Sequence, residues 1–80
     1  MFFAYVLKSV NYDFYYKGHC ENLNERIIQH NSGMTESIRS YIPFKIVYVE
    51  EFLTREEAIK REKYFKTAAG RRFLKKVLGP

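Results

Sequence analysis

Cysteine is nearly absent from the sequence, and Cys20 is the one cysteine among 80 residues. A single cysteine excludes an intramolecular disulfide and a cysteine-based zinc site within one chain. This usage fits the reducing cytosol, where disulfides rarely persist. We therefore expect a cytoplasmic protein.

Long hydrophobic runs are absent too. The apolar segment 1–7 leads directly into Lys8, so it is far shorter than the roughly 20 apolar residues that span a bilayer. It also lacks the basic leader and the cleavage site of a signal peptide. We interpret this segment as a β-strand, and we expect a soluble, intracellular protein that does not engage a membrane.

Glycine-rich loops and cofactor fingerprints are missing as well. The sequence has four glycines, and none of them belongs to a phosphate-cradling loop. Cysteine and histidine also form no metal-binding cluster in the sequence. These absences argue against a metabolic enzyme that depends on a bound cofactor.

Acidic residues are scarce in the last third of the chain. Residues 55–80 contain nine Lys or Arg and three Glu, a net charge of +6, whereas residues 1–54 carry a net charge of −1. A basic block on an otherwise neutral domain is the pattern expected for a polyanionic partner such as nucleic acid. A well-solvated helix face has the same composition, so charge by itself leaves both interpretations open.

Hydrophobic and aromatic residues, by contrast, are plentiful. They make up 46% and 18% of the chain, respectively, which excludes a disordered chain. The short length predicts a single domain over residues 1–80 with a thin core. Hydrophobic periodicity predicts the order β-β-α-β-α-α, an α+β fold in which helices flank a small three-stranded, mostly antiparallel sheet. The predicted strands are Phe2–Val10, Phe14–His19 and Phe44–Phe52.

Capping signals set the expected helix boundaries. Asn22, followed three residues later by a glutamate, predicts a first helix over about Leu23–Asn31. Thr54 begins a Thr-x-x-Glu capping box, and the second helix is expected to continue to about Ala69 and to end at Gly70. A short last helix is expected over Arg71–Leu78.

Glu62 interrupts the apolar face of the second predicted helix. It lies four residues after Ala58 and three before Phe65, so all three share one face. A carboxylate on such a face is costly unless it is paired or bound to a metal. A salt bridge at the core edge is the alternative to a metal site. The residues within helical reach of Glu62 are Glu57, Arg61 and Lys66.

Arg26 and His30 form a second candidate pair. They are four residues apart on the first helix and project from one ridge. We expect this ridge to flank a buried stripe of Leu23, Ile27 and Ile28. A guanidinium there can bind a phosphate bidentately, although an ordinary exposed helix face remains the alternative.

Two tyrosines of the predicted hairpin complete the set of candidates. Tyr5 shares a strand face with Phe3, and Tyr16 shares one with Gly18, which permits close backbone approach. Both tyrosines could instead be core residues. Taken together, a carboxylate, a fixed cation, a histidine and two phenols are the ingredients of a phosphodiester-cleaving site.

The order and spacing of these residues resemble the GIY-YIG endonuclease superfamily over about residues 2–78. The first family triplet corresponds to Phe3-Ala4-Tyr5 and the second to Tyr16-Lys17-Gly18, with ten residues between them. Arg26 matches the helix arginine of the family, His30 a histidine of many members, and Glu62 the metal-binding glutamate. The chain is most similar to small single-domain bacterial members and to the N-terminal domain of the excision-repair nuclease subunit. The stretch Ser40–Tyr48 resembles the segment that leads into the third strand of the family.

The resemblance implies a metal-dependent endonuclease that hydrolyses phosphodiester bonds, with DNA as the expected substrate and DNA repair as a possible setting. Glu62 is then the ligand of Mg²⁺ or Mn²⁺, and Arg26 binds the scissile phosphate. Tyr16 is the candidate general base. Tyr5 orients the water or contacts the phosphate, and His30 assists the base or holds a tyrosine. The alternative within the same fold is a catalytically weak or inactive nucleic-acid-binding module. For either function we expect a monomer or a weak homodimer.

Basic side chains outside the candidate site are expected to contact backbone phosphates without reading sequence. We therefore predict structure-selective or weakly sequence-selective cutting. A rival interpretation uses the apolar side of the basic block, such as Phe73 and Leu74, to dock on a protein or a membrane surface. The predicted nucleic-acid-binding residues are Lys17, Lys63, Lys66, Arg71, Arg72, Lys75 and Lys76.

Overall fold

One antiparallel sheet organises the protein in the computed structural model, which describes residues 1–79. The central strand pairs with both of the others, in the order β2-β1-β3. The predicted α+β architecture is therefore confirmed. The strands are β1 (Phe2–Ser9), β2 (Tyr15–Cys20) and β3 (Phe44–Phe52), and the helices are α1 (Leu23–Asn31), α2 (Arg55–Lys66) and α3 (Ala68–Leu78), with a 3-10 helix at Glu36–Tyr41.

The central strand β1 is buried on both faces because helices cover both sides of the sheet. Its alternation sends Tyr5 and Leu7 into a first core under α1 and the 3-10 helix. Ala4 and Val6 enter a second core under α2 and α3. These four side chains are 0–2% exposed, which explains why the strand reads as a continuous apolar run rather than as a polar alternation.

Helix α1 begins where its cap predicts. The Asn22 side chain accepts a hydrogen bond from the Glu25 backbone N–H at 3.0 Å, which satisfies one of the free donors of the first turn. Ile27 packs against the first core as expected, but Ile28 is 68% exposed and its predicted burial is wrong. The reason is that His30, rather than Ile28, continues the buried face at the end of this short helix.

The boundary between α2 and α3 differs from the prediction. Thr67 ends α2 and also caps α3, because its hydroxyl oxygen accepts a hydrogen bond from the Gly70 N–H at 3.0 Å. Gly70 therefore lies inside α3 rather than at the end of α2. A Cβ at Gly70 would lie 1.8 Å from the Tyr64 carbonyl oxygen. This glycine permits close packing of two consecutive helices and does not stop one.

The apolar side of α3 is used inside the protein. Leu74 is buried in the second core, and Phe73 and Leu78 pack against it. Among the large apolar residues of α3, Val77 is the exposed one, at 45%. Little apolar surface of the basic block is left for a membrane. Within residues 1–79, no helix has the length and apolar content needed to cross a bilayer.

Candidate nucleic-acid cleavage site

Tyr5 reaches the candidate site across the backbone of Gly18. The two residues are paired in the β1–β2 register, so their positions face the same side of the sheet. A Cβ at Gly18 would lie 2.4 Å from the Tyr5 hydroxyl oxygen. Glycine is thus required here because the Tyr5 ring occupies the space of a side chain. Gly18 of the second triplet thus leaves the space that the ring of Tyr5, from the first triplet, occupies.

His30 is held in a buried chain of hydrogen bonds. Its Nε2 lies 2.9 Å from the Tyr5 hydroxyl, and its Nδ1 lies 2.7 Å from the Thr35 hydroxyl. Burial lowers the pKa of His30, and the positive charge of Arg26 lowers it further. The imidazole is therefore neutral at pH 7, so one hydroxyl donates to it and the other accepts from it.

The two tyrosines have different environments. Tyr5 is 2% exposed, and burial, followed by the neighbouring Tyr16, raises the pKa of its phenol far above the ordinary value. Tyr16 is partly exposed at the sheet edge, with its ring centre 5.1 Å from that of His30 and 6.5 Å from that of Tyr5. Tyr16 is the phenol that solvent can reach, whereas Tyr5 stays protonated.

Arg26 lies on the exposed side of α1, one turn before His30. It lines a polar cleft of about 290 Å³ together with His19 and Arg55. Among the residues that the structure describes, no carboxylate lies within 4.0 Å of the Arg26 guanidinium. Glu21 and Glu25 line the same cleft, so the Arg26 guanidinium is free of a direct ion pair there but acts beside two carboxylates.

Glu62 lies on the opposite side of the sheet edge, on α2. Its Oε1 is 2.6 Å from His19 Nδ1, and Lys66 Nζ donates to its Oε2 at 2.7 Å. Burial opposes the ionisation of Glu62, but the hydrogen bonds from Lys66 and His19 outweigh it, so the pKa falls below its ordinary value. Glu62 is a carboxylate at pH 7. Arg61 is not its partner, because it pairs with Glu50 instead.

His19 is the site residue that sequence reasoning missed. Strand alternation points His19 to the face of β2 opposite Tyr16. The opposite face is where α2 presents Glu62. A histidine directly after the glycine of the second triplet was the available signal.

Both halves of the site meet around β2 because β2 is an edge strand. Tyr5, Tyr16 and His30 lie on one face, and His19 with Glu62 lies on the other. The cleft is lined both by Arg26 and by His19, so it connects the two faces. The negative charge of Glu62 is close enough to contribute to the raised pKa of Tyr5.

Comparison with known proteins decides the family. The family model for the GIY-YIG catalytic domain matches residues 1–76. The chain belongs to the GIY-YIG family. A UPF0213 protein of Staphylococcus epidermidis is 34% identical over 76 residues, which cover 94% of this chain and 92% of the relative. A UPF0213 protein of Listeria welshimeri is 38% identical over 65 residues, covering 80% and 71% of the two chains.

A solved structure supports the same placement of this GIY-YIG domain. The solution NMR structure of a UPF0213 protein from Bacillus halodurans superposes with a TM-score of 0.55 at 28% sequence identity. The match covers 96% of this chain and 83% of that one. Family and fold are therefore shown together.

Glu62 fits one mode of metal binding by this GIY-YIG domain. Among residues 1–79, no three His, Cys, Asp or Glu side chains cluster as a metal cage. Mg²⁺ does not need such a cage, since one carboxylate, several waters and a substrate phosphate can hold it. The Glu62 carboxylate has about four lone-pair positions, and His19 and Lys66 take two of them. The donor set therefore fits a metal shared with substrate.

The predicted nucleic-acid-binding residues separate into groups. Lys17, Arg71 and Lys75 line one groove between β2 and α3. Lys66 is paired with Glu62. The remaining three, Lys63, Arg72 and Lys76, are exposed on α2 and α3.

Proposed function

We propose that this GIY-YIG domain is a metal-dependent endonuclease that hydrolyses phosphodiester bonds, with DNA as the expected substrate. The observation that carries the proposal is that the ionised Glu62 and the Arg26 guanidinium, which has no carboxylate within 4.0 Å among the described residues, both lie beside the edge strand β2. Hydrolysis of a phosphodiester requires a cation that binds the negatively charged phosphate and a metal ion that contacts the same phosphate. Arg26 supplies the cation in the cleft, and Glu62, which is bonded to His19 on the wall of that cleft, supplies the carboxylate for the metal.

Arg26 is assigned to the scissile phosphate. It projects into the cleft, and its planar guanidinium can donate two hydrogen bonds to a phosphate. The attraction increases as negative charge builds on the phosphate oxygens in the transition state. Arg26 therefore contributes to catalysis as well as to binding.

Tyr16 is assigned as the general base for the attacking water. Its phenol is partly exposed beside the neutral His30 ring, whereas the Tyr5 phenol is buried and resists ionisation. A positive charge beside a phenol favours its ionised form, which a general base requires. Tyr5 then holds His30 in place, and His30 orients the Tyr16 ring.

Glu62 is assigned as the protein ligand of Mg²⁺ or Mn²⁺. When bound, such an ion supplies Lewis-acid stabilisation of the charge on the phosphate and on the leaving oxygen. His19 fixes the orientation of the carboxylate through its hydrogen bond. Lys66 pairs with the other carboxylate oxygen through a side chain that is 56% exposed, and it would have to release Glu62 when the ion binds.

Selectivity is expected to come from nucleic-acid structure more than from sequence. The molecule measures 28 × 28 × 18 Å, which leaves little area for reading base edges. Its exposed cations contact phosphates, and phosphate contacts carry no sequence information. We therefore propose structure-selective or weakly sequence-selective cutting.

A non-cleaving nucleic-acid-binding module is the second candidate function. It is favoured by the Glu62–Lys66 ion pair, since Lys66 competes with a metal for the carboxylate. In that case the same surface would bind nucleic acid without hydrolysis.

A cleavage assay separates the two candidates. Labelled single-stranded, duplex, flap and branched DNA, with matching RNA, would be incubated with Mg²⁺, Mn²⁺ or EDTA. We expect cutting that requires metal and that falls at least about 100-fold in Glu62→Ala, because one preorganised charged group contributes on that order. Glu56→Gln, an exposed carboxylate on the same helix, should cut like the wild type. Salt-sensitive binding without any cutting would establish the non-cleaving module instead.

A further inference from the structure

A groove of about 420 Å³ runs between β2 and α3, outside the cleavage cleft. Its apolar lining includes Leu74, which is 4% exposed, and Leu78. Tyr15 is 37% exposed and lies on its β2 side. An aromatic ring beside an apolar floor can bind a flat ring of a ligand, such as a base. A phosphate alone would not require this apolar surface. The remaining lining residues are Asp13, Lys17, Arg71, Lys75 and Gly79.

Three cations meet in this groove. Within the part of the chain that the structure describes, Lys17, Arg71 and Lys75 form no ion pair with a carboxylate within 4.0 Å. Burial lowers the pKa of Lys17, and the charges of Arg71 and Lys66 lower it further. This mutual repulsion would be relieved by a bound anion.

The two ends of the groove along β2 differ in charge. Asp13, Tyr15 and Lys17 follow one another at alternate positions on the strand or just before it. Lys17 lies toward His19, two residues further on the same face, and therefore toward Glu62. Asp13 lies at the far end, where its carboxylate repels a phosphate and can accept a hydrogen bond from a base amino group. The phosphate end of a ligand therefore faces the cleavage cleft.

We propose that this β2–α3 groove binds one unpaired nucleotide of the substrate strand, with its base stacked on Tyr15 and its phosphate on Lys17 and Arg71. The inference rests on the proposed endonuclease function and narrows its substrate to nucleic acid with a single-stranded segment beside the cut. A base pair inside a duplex cannot stack on Tyr15, because the neighbouring pairs cover both of its faces.

Binding can be tested without cleavage. In EDTA, fluorescence anisotropy would compare a labelled single-stranded DNA oligonucleotide with a blunt duplex of the same sequence. Tyr15→Ala should weaken single-strand binding by about tenfold, within the range of one base–aromatic stack, and leave duplex binding unchanged. Tyr15→Phe should bind like the wild type, and so should Tyr12→Ala, which alters a tyrosine that is 54% exposed outside the groove. Equal losses for both probes, or no loss, would overturn the proposal.

The wild-type chain supplies a second measurement that does not depend on a variant folding. Titration of the ¹⁵N-labelled protein with a thymidine dinucleotide should shift amide signals at Tyr15, Lys17 and Arg71. Inorganic phosphate should shift Lys17 and Arg71 at higher concentration and leave Tyr15 in place. Shifts confined to other surfaces would contradict the proposal, as would saturation of the groove by vesicles of phosphatidylserine and phosphatidylcholine but not by the dinucleotide.

The two proposals fail separately. Cutting that depends on Glu62, combined with unaltered single-strand affinity in Tyr15→Ala, would leave the endonuclease standing and reject the nucleotide groove. Tyr15-dependent binding without any cutting would leave the groove standing and reject the endonuclease.

Discussion

At the scale of single residues, buried polar groups of the site depend on each other for hydrogen bonds. His30 is 2% exposed and lies between the hydroxyls of Tyr5 and Thr35. A buried imidazole with a missing partner loses the stabilisation that water supplied in the unfolded chain. The arrangement therefore holds the site rigid and also contributes to the stability of the fold.

Replacement of Tyr5 tests this dependence. Tyr5→Phe removes the partner of His30 Nε2 without removing the ring, and we expect it to lower the free energy of unfolding by about 1–3 kcal/mol. Urea denaturation followed by circular dichroism at pH 7 measures the change. Tyr12→Phe, at a tyrosine that is 54% exposed, should leave stability unchanged. Equal stability of Tyr5→Phe and wild type would show that the hydrogen bond contributes nothing.

At the scale of elements, a charged pair links β3 to α2. Arg61 donates to both carboxylate oxygens of Glu50, at 2.7 and 3.2 Å. The guanidinium also lies 4.7 Å from the ring centre of Tyr64 and 4.9 Å from that of Phe73. One arginine thus joins a strand and two helices.

This pair predicts a pH dependence of stability. Burial opposes the ionisation of Glu50, but hydrogen bonds from Arg61 and Tyr48 outweigh it and hold its pKa below the ordinary value. A carboxyl with a depressed folded pKa contributes stability that is present above its unfolded pKa of about 4.3. That contribution is lost as the pH falls through the folded pKa.

Glu50→Gln should therefore destabilise the protein more at pH 7 than at pH 3. The free energy of unfolding from urea titrations at both pH values measures the difference between wild type and variant. Glu51→Gln, at the exposed neighbouring position on β3, serves as the control and should show no such difference. An identical cost of Glu50→Gln at both pH values would contradict the prediction.

The helices show where element prediction succeeds and where it fails. The cap residues Asn22 and Thr54 correctly mark the starts of α1 and α2, because an N-cap acts within its own first turn. The predicted end of α2 is wrong because Gly70 is not a stop signal but lies inside α3. Its actual role is steric and concerns the packing of α3 on the end of α2.

At the scale of the whole molecule, the basic block has an apolar side that packs in the core and a cationic side that is exposed. The apolar side chains of α3 fill the second core, and its cations face solvent or the β2–α3 groove. One helix therefore supports the core and, under the proposed function, also contacts nucleic acid. Its affinity for nucleic acid should then be strongly dependent on salt.

The salt dependence offers a direct measurement. The logarithm of the binding constant for DNA should fall linearly with the logarithm of salt concentration. Arg71→Gln should reduce the magnitude of this slope by about one phosphate contact. Lys45→Gln, on β3 at the other edge of the sheet, should leave the slope unchanged. A smaller slope in Lys45→Gln, with no change in Arg71→Gln, would place the nucleic acid on the β3 side.

The sequence by itself determined the elements of this protein and their order. Strand periodicity and helix caps act over a few residues, so the three strands, the starts of α1 and α2 and the family motifs could all be recognised locally. The candidate residues Tyr5, Tyr16, Arg26, His30 and Glu62 were also identifiable from spacing, and their catalytic roles stay predictions.

Only the tertiary structure decided which side chains meet. Tyr5 bonds to His30 across 25 residues, and His19 bonds to Glu62 across 43. Such contacts depend on which face of the sheet each helix covers and on how closely it packs there. Local patterns carry no record of that packing, which is why the protonated state of Tyr5 and the role of His19 emerged only from the fold.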